Sequence, residues 1–238
     1  FVNPVRVVVA ETVADVAAAL REIDRSVEGE GLYAAGYLAY EAGAAFGLAT
    51  YTPDLDAPPL LWFGLFRDYE PVDVPAADTT YRFGEWRPSL SFDVYEAAIG
   101  RIKDAIAAGD TYQINYTFPL RATFEGDPWA LFVSLAAAQR ADYCAYVDMG
   151  RFAVCSASPE LFFRLDGLTL TSRPMKGTAP RGLTSADDRR QIDWLRNSEK
   201  NRAENVMIVD MIRNDFGRIA RTGSVAVPAL FTIERYPT

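Results

Sequence analysis

The sequence predicts an α+β fold with antiparallel sheet. Helical segments alternate with groups of adjacent strands, whereas a doubly wound sheet would alternate single strands with helices. Several of these strands follow one another closely enough to form hairpins, and the two strands of a hairpin are antiparallel. Half of the 238 residues are hydrophobic, so the chain can bury a sizeable core in one large domain or two small ones.

Residue patterns in the first eighty positions predict one amphipathic helix, two strands and a solvated loop. Val13, Val16 and Ile23 recur at the spacing of one helix face. The first strand is rich in small and aromatic residues, the second is apolar throughout, and the loop contains two prolines and four acidic residues. In order, these segments span residues 12–26, 31–40, 60–66 and 67–79.

A second helix and a strand are predicted in the middle of the chain. Ser91 is a suitable N-cap for the helix, and Gly109 a suitable left-handed residue just after its end. Strict alternation then predicts a half-buried strand, which places Gln113, Asn115 and Thr117 on its polar face. The apolar positions of this strand are Tyr112, Ile114, Tyr116, Phe118 and Leu120.

The second half of the chain shows two hairpin signals followed by two helices. The stronger signal is Asp166-Gly167 between two apolar runs, because Asp-Gly favours a type I′ turn. Ser185 opens the first of the two helices, with Asp187 and Asp188 in the turn where the helix dipole favours acidic groups. The predicted strands are 143–148, 152–156, 161–165, 168–172, 224–227 and 230–235, and the second helix spans about 198–220.

Composition excludes several classes of function. The chain has no histidine, which removes Ser-His and Cys-His nucleophile pairs and any zinc site that includes histidine. A net charge of −8 argues against nucleic acid or an anionic membrane as partner. No apolar run reaches the length of a membrane span and no signal peptide is recognisable. Cys144 and Cys155, the two cysteines, suggest a reducing compartment, so we expect a cytoplasmic protein.

Two polar stretches flank the stronger hairpin and are the first candidates for chemistry. Glu160 enters the hairpin and Lys176 leaves it, so a carboxyl and an amine could share one site. The ordinary alternative is that both are solvated surface groups. In a third stretch, Lys200 and Glu204 are four residues apart on a helix. They could form an exposed ion pair of a few tenths of a kcal/mol, or Glu204 could face a metal, and the spacing does not decide.

Four segments of the sequence resemble the chorismate-utilising enzymes. The resemblance implies a single domain over 1–238, with an N-terminal subregion at 1–85 and the first part of the chorismate-binding region at 86–238. It also implies the fold of that family, antiparallel sheets packed together with helices outside. The segments are GDTYQIN (109–115), SASPE (156–160), RPMKGTAPR (173–181) and KNRAENVMIVDMIRNDFG (200–217).

Two positions suggest a branch within this family. Where isochorismate and salicylate synthases have a lysine that activates water, this chain resembles the amine-adding branches by having Gln113. Where anthranilate synthases have alanine, this chain has Lys176, similar to the branch that forms 4-amino-4-deoxychorismate. The resemblance therefore implies amination of chorismate at C4 for the synthesis of p-aminobenzoate and folate.

The resemblance also implies a role for each site residue. Lys176 would attack C2 of chorismate in a covalent mechanism, and Glu160 would protonate the departing C4 hydroxyl. Glu204 matches the position of a magnesium ligand, which makes Mg²⁺ the expected cofactor. Thr178 matches a substrate contact and Gln113 a position that lines the site.

The expected partners follow from the same family. Ammonia would come from a glutamine amidotransferase subunit, and the segment GYLAYE (36–41) looks like the form often fused to an aminodeoxychorismate lyase domain. The family's second magnesium carboxylate and two further substrate-binding segments do not occur in this chain, which is expected to be inactive by itself. Two alternatives stay open: formation of anthranilate, and a chorismate-binding or scaffold fragment without catalysis.

Overall fold

The computed structural model describes residues 1–52 and 56–237 and is an α+β protein, as predicted. Five α-helices are present in this described part: α1 (Val13–Glu30), α2 (Phe92–Ala108), α3 (Pro128–Gln139), α4 (Ser185–Asn197) and α5 (Glu199–Gly217). A 3₁₀ helix spans Tyr40–Phe46. The strands are β1 (Arg6–Ala10), β2 (Tyr33–Leu38), β3 (Leu61–Phe66), β4 (Tyr81–Phe83), β5 (Arg87–Pro88), β6 (Leu120–Arg121), β7 (Phe124–Gly126), β8 (Tyr143–Asp148), β9 (Ala153–Ser158), β10 (Leu161–Asp166) and β11 (Thr169–Arg173). Among the described residues, no helix is both long and apolar enough to cross a membrane.

The chain forms two compact units. The first contains Phe1–Ala76 together with Ala145–Cys155, and the second contains Ala77–Cys144 together with the residues from Ser156 onward. All five candidate site residues belong to the second unit. The division of one domain at residue 85 stays a prediction.

The first unit is built on a three-stranded sheet with strand order β1-β3-β2. Both pairings are antiparallel, with Val8 opposite Phe63 and Gly36 opposite Phe63 on the other side. Alternate residues of the strands face α1, and their burial holds the helix on one face of the sheet. The buried cluster consists of Val8, Ala10, Val16, Ala19, Ile23, Ala39, Ala42, Leu60, Leu61 and Leu65.

The first helix of the second unit is α2, whose predicted ends are confirmed. The Ser91 hydroxyl accepts from the N–H of Val94, and Gly109 follows the helix at φ +83°. A short helix that the sequence analysis missed, α3, starts where the Asp127 carboxylate accepts from the N–H of Trp129. Pro128 in its first turn is a common helix start, because that position has no helical hydrogen bond to lose.

The strand predicted over residues 112–120 was wrong. Among the described residues, strand structure in this stretch is limited to Leu120–Arg121, which pair antiparallel with β5. The alternation of polar and apolar residues is present, but its apolar side is open to solvent: Tyr112 is 80% exposed and Leu120 56%. Alternation produces a strand only where a neighbour supplies hydrogen bonds and cover.

The hairpin of β10 and β11 is confirmed, but its predicted turn was wrong. Asp166 still pairs with Thr169, so the two turn residues are Gly167 and Leu168 rather than Asp166 and Gly167. Gly167 takes a φ of +56° while Leu168 does not have a positive φ. Positive φ at the first turn residue alone is the pattern of a type II′ turn, which favours glycine there.

The helices predicted near the end of the chain are confirmed, whereas the two short strands at 224–227 and 230–235 were wrong. Among the described residues, no strand follows α5. The reason is that side chains, rather than a strand ladder, attach this segment to the rest of the unit. Glu234 pairs with Arg173, and the Tyr236 hydroxyl lies 3.5 Å from the carbonyl oxygen of Pro159.

The loop from 174 to 184 is fixed at its far end by Asp188. The Arg181 guanidinium donates to both carboxylate oxygens at 3.0–3.1 Å through Nε, and the N–H of Gly182 donates to the same carboxylate at 2.6 Å. Arg181 also donates from Nη1 to the carbonyl oxygen of Tyr236 at 2.7 Å. The hydrogen bond from Arg181 and the one from Gly182 lower the pKa of Asp188 to about 2.

We expect this contact to give the unit a measurable acid dependence. In the unfolded chain the pKa of an aspartate is about 4. The stabilisation from the Asp188 contacts is therefore complete above that pH and is lost as pH falls towards about 2. Carboxyl NMR should place the Asp188 midpoint near 2 and at a higher pH in the Arg181→Gln variant. Asp188→Asn should flatten the fall in stability between about pH 4 and pH 2, and Asp193→Asn, on the exposed side of α4, should not. If Asp188 titrates with the same midpoint in the wild type and in Arg181→Gln, Arg181 is not the cause of the lowered pKa.

Candidate functional site

The hairpin brings Glu160 to the backbone beside Lys176. Leu161 and Arg173 are paired in the register, so the residues just before β10 and just after β11 meet at one end of the hairpin. The N–H of Met175 donates to Oε1 of Glu160 at 2.9 Å. Lys176 is half-buried and Glu160 is exposed. The Glu160 carboxylate therefore contacts the backbone next to Lys176, as the position of both residues at the hairpin ends predicts.

The turn before Glu160 holds its backbone in place. Oγ of Ser158 accepts from the N–H of Glu160 at 3.2 Å. Pro159 between them has a restricted φ and lacks an N–H, so it favours an extended entry into the strand. Tyr236 contacts the carbonyl of Pro159, and its hydroxyl also donates to Glu234. That hydrogen bond to Glu234, with burial, raises the pKa of Tyr236 to about 12, so the hydroxyl stays a donor at neutral pH.

The loop that carries Lys176 lies against α5. A Cβ built on Gly177 would be 3.0 Å from Cβ of Asn201, on the first turn of that helix. Thr178, the predicted substrate contact, is exposed in the same loop, two residues after Lys176. The loop is thus fixed to the hairpin through Met175 and to α5 through Gly177.

Glu204 lies one turn further along α5 and is the predicted magnesium ligand. The Glu204 side chain is 25% exposed, and its carboxylate lies 3.9 Å from Nζ of Lys200, whose side chain is 82% exposed. An ion pair this long and this exposed contributes little stability, so the carboxylate can take another partner. The neighbouring Oδ1 of Asn205 is buried without a hydrogen-bond partner in the described chain.

The magnesium site that the family resemblance implies stays a prediction. The described residues contain no group of three Asp, Glu, Cys or His side chains placed to hold a metal ion. Magnesium in enzymes is commonly bound by one or two carboxylates, with water and substrate oxygens completing the shell. The Glu204 carboxylate fits that use as one oxygen ligand.

An open groove of about 700 Å³ begins where α5 passes Gln113. Gln113 lies in the irregular stretch after α2, where its Nε2 is 3.4 Å from Oδ1 of Asn115. The lining is mixed, because α5 contributes three apolar and three polar or charged residues and the other wall contributes Thr111, Tyr112 and Gln113. The lining residues are Thr111, Tyr112, Gln113, Met207, Ile208, Asp210, Met211, Arg213 and Asn214.

The groove and the Lys176 loop share α5 as a common wall. Asn201 contacts the loop and Ile208 lines the groove, and seven residues of helix span about 10 Å. Glu204 lies between them on the helix. The helix thus places a carboxylate between the lysine loop and the glutamine.

Sequence reasoning missed Asn201 and the groove wall on α5. Asn201 is three residues before Glu204, and residues three or four apart share a helix face, so that spacing was the available signal. No sequence pattern marked residues Met207 to Asn214 as a wall of the groove. The opposite wall, residues 111–113, was predicted to begin a strand, so its position beside α5 was not expected.

Comparison with known proteins gives one family. Residues 5–238 match the family described as chorismate binding enzyme. Aminodeoxychorismate synthase component 1 of Klebsiella aerogenes is 41% identical over 168 residues, which are 71% of this chain and 37% of that protein. Anthranilate synthase component 1 of Aquifex aeolicus is 37% identical over 154 residues, 65% of this chain and 31% of that protein.

A solved structure agrees on the fold. The crystal structure of anthranilate synthase component I from Streptococcus pneumoniae superposes with a TM-score of 0.67, at 20% identity, over 83% of this chain and 52% of that one. The matched part of this chain spans little more than a third of the Klebsiella aerogenes relative. Because the family match extends over residues 5–238, the chain belongs to the chorismate binding enzyme family.

Proposed function

We propose that the protein containing this chain is an aminodeoxychorismate synthase component I, which aminates chorismate at C4 to 4-amino-4-deoxychorismate. The observation that carries the proposal is the contact of the Glu160 carboxylate with the N–H of Met175, which joins an acid to the loop of Lys176. Relatives named aminodeoxychorismate synthase component 1, such as the one from Escherichia coli at 40% identity, support this branch.

The proposed reaction has two substitutions. The neutral amine of Lys176 attacks C2 of chorismate, both ring double bonds shift by one position, and the C4–O bond breaks as the hydroxyl takes up a proton and leaves as water. Ammonia then attacks C4, both double bonds shift back, and the C2–N bond to Lys176 breaks. The sum is chorismate plus ammonia giving 4-amino-4-deoxychorismate plus water. A covalent intermediate divides one difficult displacement into two easier ones.

Glu160 is the proposed general acid for the first substitution. A hydroxyl is a poor leaving group, so a proton must reach its oxygen as the C4–O bond breaks. The hydrogen bond from Met175 fixes Oε1 of Glu160 next to the nucleophile's own backbone. The acid is therefore tied to the backbone one residue before the nucleophile, an arrangement that favours a constant relative orientation.

The remaining candidates are proposed to hold the substrate. Gln113 lines the groove, Thr178 follows the nucleophile in its loop, and Glu204 lies between the loop and the groove along α5. When bound, Mg²⁺ would supply positive charge that neutralises a carboxylate of chorismate. Glu204 would be one of the residues that hold it.

Ammonia is proposed to come from a separate glutamine amidotransferase subunit. This chain has no histidine and so cannot contain the Cys-His pair that such a subunit uses. A cytoplasmic pathway to p-aminobenzoate and folate fits this partner, and an aminodeoxychorismate lyase domain is a possible C-terminal neighbour.

The second candidate function is anthranilate synthesis. The similarity to anthranilate synthase component 1 of Aquifex aeolicus favours it. Lys176 argues against it, because a lysine adduct at C2 directs ammonia to C4, whereas anthranilate carries its nitrogen at C2. The third possibility, a chorismate-binding or scaffold role without catalysis, predicts binding and no product.

Product identification tests these alternatives. With chorismate, Mg²⁺ and ammonium, the complete gene product should form 4-amino-4-deoxychorismate without pyruvate, or p-aminobenzoate plus pyruvate if a lyase domain is present. Mass spectrometry and a coupled pyruvate assay identify the products. Anthranilate would move the protein to the second candidate, and binding without product would move it to the third.

Lys176→Ala should remove the ammonia-dependent activity, because the first substitution loses its nucleophile. In the wild type without ammonia, mass spectrometry should find an adduct of one chorismate minus one water on Lys176. Lys103, one of the three lysines of the chain, is exposed on α2. Lys103→Ala is therefore a matched control that should keep both the activity and the adduct on Lys176. Full activity of Lys176→Ala would exclude the covalent route.

Glu160→Gln should lower kcat by about 10²- to 10⁴-fold, because glutamine keeps the acceptor for Met175 but has no proton to give to the leaving hydroxyl. The KM for chorismate should change little. Asp166→Asn, at the opposite end of β10, removes a carboxylate from the same strand and should be as active as the wild type. Equal rates for Glu160→Gln and Asp166→Asn would contradict the role of Glu160.

A further inference from the structure

We propose that Asn201 is a positioning residue that sets the direction in which the side chain of Lys176 projects from its loop. The inference depends on the proposed role of Lys176 as nucleophile. Asn201 lies beside the backbone of this loop at Gly177.

The first observation is the close approach of Gly177 to Asn201. A Cβ at Gly177 would lie 3.0 Å from both Cβ and Cγ of Asn201 and 3.1 Å from its Oδ1. Gly177 also has a φ of +82°, which other residues rarely adopt. The Cα of Gly177 therefore faces the side chain of Asn201 at a separation that leaves little room for one more carbon atom. Lys176 is one peptide unit from this contact, about 3.8 Å between Cα atoms.

The second observation is that the Asn201 amide is itself held in place. Oγ of Ser198 accepts from Nδ2 of Asn201 at 3.1 Å and from its backbone N–H at 3.4 Å. Ser198 is the N-cap of α5, so one hydroxyl fixes both the start of the helix and the plane of the amide. Oδ1 is then the amide atom turned towards Gly177.

The third observation is that Lys176 is fixed on both sides. Its preceding residue, Met175, donates to Glu160, and its following residue, Gly177, lies on Asn201. With one contact missing, the loop could pivot about the other. A shift of about 1 Å in a reacting group can cost about 10²-fold in rate even when substrate binding is intact.

The alternative is that Asn201 matters only for the stability of α5. It occupies the third position of the helix, where it shares the capping hydroxyl of Ser198. A purely structural role would change the unfolding midpoint and would leave the rate of the folded enzyme unchanged. A positioning role lowers kcat and adduct formation and leaves the KM for chorismate nearly unchanged.

Three variants of the complete gene product separate these roles. Asn201→Ala should lower kcat, and the rate of adduct formation on Lys176, by about 10- to 100-fold. Asn201→Asp should restore most of the rate, because it keeps the shape and the Ser198 hydroxyl can donate to the carboxylate instead. Ala203→Gly, on an exposed turn of α5, weakens the helix without touching the loop and should keep the wild-type rate.

Each outcome decides between the proposals. A wild-type protein that makes no 4-amino-4-deoxychorismate overturns the proposed function, and this inference with it. An active wild type with an equally active Asn201→Ala overturns the inference alone. So does a rise in KM at constant kcat, or an equal loss of rate in Ala203→Gly. A loss confined to kcat, with recovery in Asn201→Asp, supports it.

Discussion

The hydrogen bond from the Met175 N–H to the Glu160 carboxylate is the contact on which the candidate site depends. It closes the open end of the β10–β11 hairpin and joins the strand entrance to the loop after the strand exit. Around it, Tyr236 contacts the residue before Glu160, and Glu234 pairs with Arg173. These contacts come from different parts of the second unit and converge on one turn of backbone.

Prediction from the sequence succeeded where the signal was local. The span of α2 followed from the capping serine Ser91 and from Gly109, and the hairpin followed from two apolar runs around a glycine. It failed for residues 112–120, whose alternation was correct but whose pairing depends on neighbours that periodicity does not reveal. It also passed over α3, although Asp127-Pro128 carries a helix-start signal.

The same distinction applies to the site. The proximity of Glu160 to the Lys176 loop could be predicted, because antiparallel strands bring their ends together. The position of Gln113 opposite the middle of α5 could not, because it is a tertiary contact between two segments far apart in sequence. The roles proposed for these residues came from the family resemblance. The structure adds that α5 lies beside both the Lys176 loop and Gln113.

The hairpin origin of the Glu160 contact has a consequence for how the protein folds. The two partners are only 15 residues apart, whereas the Arg173–Glu234 pair spans 61. Closing a short loop costs little chain entropy, and hairpins form in about 1–10 μs. The acid and the backbone of the lysine can therefore be joined early, by a segment that needs no contact with the chain end. The turn therefore does not depend on the Arg173–Glu234 pair to bring its two partners together.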